Sequence, residues 1–91
     1  MKRKEIQILE LTDFQVGYTV DIYNEKYGEE YKMIVHAIDK SNQAIFCFDM
    51  NDPLETKVFC VDELSPMGRF ADLQILRVYD QNKKEIWEAI D

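Results

Sequence analysis

The apolar residues of this chain recur at every second position, and that period limits the fold more than any other feature. Tyr18, Val20 and Ile22 alternate with Thr19, Asp21 and Tyr23, so an extended strand there has one apolar and one polar face. Tyr31, Met33, Val35 and Ala37 alternate with Lys32, Ile34, His36 and Ile38. The second set is also largely apolar and predicts a strand covered on both faces. Ala44-Ile45-Phe46-Cys47-Phe48 is apolar throughout and rich in β-formers, as a central strand would be. Lys57 to Val61 and Leu73 to Tyr79 follow in the same style.

Turn chemistry separates these runs. Thr12-Asp13, Asn24 to Glu30, Lys40 to Gln43 and Asn51-Asp52-Pro53 are polar clusters of the residues that favour turns. Asp80 to Lys83 is another, and lets Lys84 to Ile90 return as the second arm of a hairpin spanning 73–90. A C-terminal helix is the alternative to that last strand, since Ile86 and Ile90 stand four apart among helix formers. Ile6 to Leu11 predicts an N-terminal strand at 5–11, with a bulge where the phase slips between Ile8 and Leu9. Glu63 to Phe70 is the longest irregular piece and predicts a short 3₁₀ turn.

With 91 residues and neither a linker nor a repeat, the chain reads as one domain over 1–91. Six or seven short strands predict a mainly β fold, either a small antiparallel β-barrel or a strongly bent sheet, with its body over 14–79. Phe14-Gln15-Val16-Gly17-Tyr18, running into Ile22, resembles the opening of SH3-like small barrels, where an apolar-x-x-Gly turn feeds the first barrel strand. Leu64-Ser65-Pro66 falls where such barrels carry a 3₁₀ turn. The resemblance is to a fold and implies no function, because SH3-like barrels host many.

Charge narrows the function classes. The chain carries 18 acidic and 11 basic side chains, net −7. The basic residues gather at the ends: residues 5–76 hold 14 acids against five bases, net −9. A surface of this sign repels phosphate and argues against direct nucleic-acid binding. No run approaches the roughly 20 apolar residues of a membrane span. Met1-Lys2-Arg3-Lys4 precedes a stretch too short and too charged for a secretory signal, which points to a complete cytoplasmic product.

Nothing in the sequence supports catalysis. There is no Gly-rich phosphate loop and no G-x-S-x-G elbow. His36, Cys47 and Cys60 are the only candidate metal row. If Lys40 to Gln43 and Asn51 to Thr56 turn two hairpins, His36 falls opposite Cys47, and Cys47 opposite Cys60. The row has no fourth ligand, so both cysteines read as buried small hydrophobes, and neither metal nor cofactor is expected. Asp49 to Glu55 is acidic but places Leu54 where a calcium loop needs Gly and Cys60 where it needs Glu.

A binding module remains. Tyr23 and Tyr27 lie in or beside an acidic loop with Glu25, Glu29 and Glu30, the composition of a protein-binding patch. Asp49, Asp52 and Glu55 form a second acidic stretch, and Asp62 with Glu63 a third. The expected partner is a protein with a basic surface, in one form a nucleic-acid-binding protein whose groove an acidic mimic fills, as some phage-encoded inhibitors do. The alternatives are a structural subunit of a larger assembly, such as a phage particle, a homodimer through unpaired edges, and a nucleic-acid-binding small barrel.

Overall fold

The computed structural model describes residues 8–65 and 67–89, with only the backbone of Pro53. Seven strands form a single antiparallel sheet: β1 (Thr19–Asn24), β2 (Glu29–Asp39), β3 (Ala44–Asp49), β4 (Asp52–Cys60), β5 (Arg69–Phe70), β6 (Leu73–Tyr79) and β7 (Glu85–Glu88). Two 3₁₀ turns, Leu11–Asp13 and Val61–Glu63, complete the regular structure. The path across the sheet is β4-β3-β2-β1-β6-β5, and β7 also pairs with β6. Because β1 occupies one side of β6, β5 and β7 share the other side end to end.

The expected strands at 18–23, 31–38, 44–48, 57–61 and 73–79 form within a residue or two of those limits, except that β4 begins five residues earlier. The C-terminal segment is a strand and not a helix. Trp87 faces Val78 across β6 and β7 and is buried, a contact worth more than the weak helix preference of four residues.

Three expectations are corrected. The N-terminal strand does not form where the chain is described: residues 8–10 are irregular and a 3₁₀ turn follows, while 5–7 lie outside the described residues. Asp13 accepts the Glu10 N–H at 2.8 Å and its own N–H returns to the Glu10 carbonyl at 2.9 Å, which closes a local turn. The phase slip at Ile8 and Leu9 marks that turn, with Ile8 60% exposed and Leu9 at 3%. The second 3₁₀ turn lies at Val61–Glu63, ahead of 63–70, which instead holds β5.

The third correction concerns closure. Among the described residues the bent sheet does not close into a barrel, because β4 and β5 end the path without pairing with each other. Its curl brings Phe59 of β4 within 6.1 Å of Phe70 of β5, ring centre to ring centre. The two edges therefore meet through side chains. Only two residues long, β5 has too little backbone to add a ladder. The Tyr18 N–H bonds to the Gln15 carbonyl at 3.0 Å and closes a turn into β1, but the sheet it feeds is open and the SH3-like likeness is not confirmed.

The inner face carries the core. Val20 and Ile22, Met33 and Val35, Ile45 and Cys47, Phe59, Ile75 and Val78 are all within 1% of complete burial. Each large side chain among them contributes about 1.5–3 kcal/mol by leaving water. Leu9, Phe14, Val61 and Leu64 close one end. No helix among the described residues is long and apolar enough to cross a membrane.

Candidate protein-binding surface

Three hairpin turns follow β1, β3 and β5, which all run in the same direction, but the second is set back along β2: Asn24 pairs with Glu29, whereas Asp49 pairs with Met33. The turns join β1 to β2, β3 to β4 and β5 to β6. The first two are built by acids or amides that cap their backbone. Asn24 takes the Lys26 N–H on its side-chain oxygen at 3.0 Å, and its carbonyl takes the Gly28 N–H at 2.8 Å. Asp49 accepts from the Asn51 N–H at 2.8 Å and Asp52 from the Leu54 N–H at 3.2 Å. The Asp72 carbonyl accepts the Glu25 N–H at 2.9 Å, and Glu25 forms an ion pair with Arg69, which ties the first and third turns together.

A second chain of contacts joins the first and second turns. Tyr31 donates its hydroxyl to Glu29 at 2.8 Å, and that bond to a carboxylate pushes the phenol's pKa up. Lys57 reaches over the Tyr31 ring, 5.9 Å from its centre, and stands 3.4 Å from Glu55. Tyr27 projects from the first turn with 64% of its surface exposed and Lys26 against its ring. Tyr23 is half-buried beneath, its hydroxyl 3.9 Å from where a side chain on Gly28 would begin.

The structure thus places Tyr23, Glu25, Tyr27, Glu29 and Glu30 in or beside the first turn and links Glu29 to Glu55 through Tyr31 and Lys57, whereas Asp49 and Asp52 flank the second turn, level with Met33. Asp62 and Glu63 are not among them: they sit on the 3₁₀ turn at the opposite end, that of the apolar plug, both exposed. Glu30 differs from its neighbours because it turns to the outer face and accepts from Arg77 at 3.2 Å.

That outer face holds a group of residues which the charge pattern alone does not single out. Asp21, only 5% exposed, accepts hydrogen bonds from Lys32 at 2.7 Å and from Arg77 and Tyr79 at 3.0 Å each. Burial pushes its pKa up, but the bonds from Lys32, Arg77 and Tyr79 outweigh it and hold the carboxyl below its ordinary value. Asp21 in turn holds the Arg77 guanidinium in its charged form. The signal was present in the sequence, an acid between Val20 and Ile22 and basic residues on two neighbouring strands. It becomes visible only once β1 is known to lie between β2 and β6. The group is saturated by its own partners and reads as a clamp across three strands.

The row of His36, Cys47 and Cys60 does not exist. A bulge in β2 between Val35 and Ala37 leaves His36 unpaired and exposed, with Cys47 opposite Val35 and fully buried on the inner face. Cys60 pairs with Ala44, three positions from the expected register, because the β3–β4 turn is tighter than assumed. His36 lies over Phe48, 5.0 Å between ring centres, and edge-on to Phe46. Phe46 and Phe48 are therefore outer-face residues and not core. Both cysteines are free thiols, and burial pushes the Cys47 pKa up to about 12. No group of three or more metal-binding side chains occurs among the described residues. A groove of about 660 Å³ at the plug end is lined by Leu9, Leu11, Phe14, Ile38 and Val61 and continues the core outward.

No protein-family model, no curated protein and no solved structure matches the chain.

Proposed function

We propose that the protein is a small cytoplasmic interaction module whose acidic hairpin end docks on a basic protein surface. The reading rests on one observation: Glu25 and Glu29 share the first hairpin turn with exposed Tyr27, and Tyr31 and Lys57 link Glu29 to Glu55 of the next hairpin. Tyrosine supplies contact area at small entropic cost, and the surrounding acids steer the approach of a cationic partner. In its finer form the proposal is mimicry, with these carboxylates standing where a nucleic acid's phosphates would lie on the partner. No catalytic role is proposed.

Salt dependence tests it. Capture from a lysate of the source organism is compared at about 0.05 M and about 0.5 M salt, a range over which exposed charges are progressively screened. A basic partner that is retained at low salt and released at high salt is expected. A partner held equally at both, or tight binding of single- or double-stranded oligonucleotides by the protein itself, contradicts the proposal.

A further inference from the structure

The outer edge of β4 has no strand against it among the described residues, and it is the longer of the sheet's two edges. Natural sheets blunt such edges with short strands, proline, bulges or lysine. Here the first half of β4 is blunted. The register slips between Phe48 and Asp49, Pro53 lies in the slipped stretch, and the Leu54 N–H is taken by Asp52. The second half is not. Lys57 bends over Tyr31 toward Glu55, so it does not guard the edge.

The direction of the free backbone groups follows from one bond. Val61 donates to the Gln43 carbonyl at 2.7 Å, so position 61 faces β3. By alternation 59 and 57 face β3 as well, and the N–H and C=O groups of Thr56, Val58 and Cys60 point away from the sheet. Thr56 is exposed, Val58 is 42% exposed and Cys60 is half-buried. Residues 56–60 contain no acid, an interval of neutral and basic surface on a body of net −9. Two copies of so acidic a chain can approach along this edge without placing carboxylate against carboxylate across it.

We infer that this edge pairs with the same edge of a second copy, antiparallel, about a two-fold axis through Val58. Thr56 then faces Cys60, Lys57 faces Phe59 and Val58 faces Val58, so no like charges oppose one another and all three outward positions are bonded. Competing registers do less well. An axis through Lys57 sets lysine against lysine, and one through Thr56 calls on the Leu54 N–H that Asp52 already holds. Phe46 lies beside Val58 within each copy, so the pairing extends one apolar stripe across both outer faces. A five-residue edge buries little area, and the dimer is weak, with dissociation in the micromolar range or above (about 10 μM or more).

Disulfide trapping tests the dimer and its register together. In a Cys60→Ser background, Val58→Cys places two thiols on facing residues about 5.5 Å apart at the Cα atoms, within disulfide reach. Thr56→Cys in the same background leaves its thiols four residues out of register, roughly 13 Å apart. Cys47 is fully buried and stays silent. Mild oxidation at about 0.1–1 mM protein is expected to cross-link the first variant at least tenfold faster than the second. Light scattering of the wild-type protein over that range is expected to rise from 10.8 kDa toward twice that mass. A wild-type mass that stays at one chain, or equal cross-linking of the two variants, overturns the inference.

Discussion

Gly68 shows how much a single position can decide. Its φ of +80° belongs to the left-handed region, and a Cβ there would lie 2.6 Å from the Ile75 carbonyl oxygen and 2.9 Å from the Trp87 ring. Gly68→Ala therefore has to displace a strand or the buried tryptophan. It is expected to cost more than about 2 kcal/mol, or about 10 °C in Tm. Gly28 is a contrast at similar φ, with only the Tyr23 hydroxyl nearby at 3.9 Å, and Gly28→Ala is expected to cost about 1 kcal/mol. Equal thermal shifts for the two variants would contradict this account of the Gly68 contacts. Asp21 is the charged counterpart. Its folded carboxyl titrates below the unfolded value of about 3.9, so its contribution is present above that pH and is lost as pH falls through the folded value. Asp21→Asn is expected to be less stable than wild type by about 2 kcal/mol near pH 7, and the gap is expected to narrow by about pH 3. Urea melts at both pH values check this, and a gap that does not change with pH refutes the role.

At the level of elements, the sequence exposed whatever depended on local chemistry. Alternation located five strands, and the turn residues at Asn24, Asn51 and Asp80 located three of the hairpins. It concealed whatever depended on register. The bulge at His36 and the slip at Asp49 each move a strand by one or more residues, and no side chain announces them in advance. Hence the expected row of His36, Cys47 and Cys60 failed although every strand in it was real. Barrel closure failed for a related reason, since it depended on the length of β5, which the irregular stretch 63–70 hid. Cysteine reactivity reports on the observed register. Cys47 is fully buried with its pKa raised to about 12, and Cys60 is half-buried. A thiol reagent is expected to titrate one cysteine in the native protein and two in denaturant. Two fast native thiols would place Cys47 on the wrong face.

For the molecule as a whole, charge matters more than any one contact. The sequence showed an acidic body but not how its acids are arranged in space. The fold links Glu29 of one hairpin to Glu55 of the next through Tyr31 and Lys57, and separates them from Asp62 and Glu63. If the linked hairpins form a docking surface, location must count for more than net charge. The most direct test compares two variants that lose the same number of charges. One carries Glu29→Gln and Glu55→Gln at the hairpin end, and the other Asp62→Asn and Glu63→Gln at the plug end. Capture of the salt-sensitive partner is expected to fall at least tenfold for the first variant and less than twofold for the second. Equal losses from the two ends would show that the acidic surface acts through net charge alone, and would contradict a docking site at the hairpins.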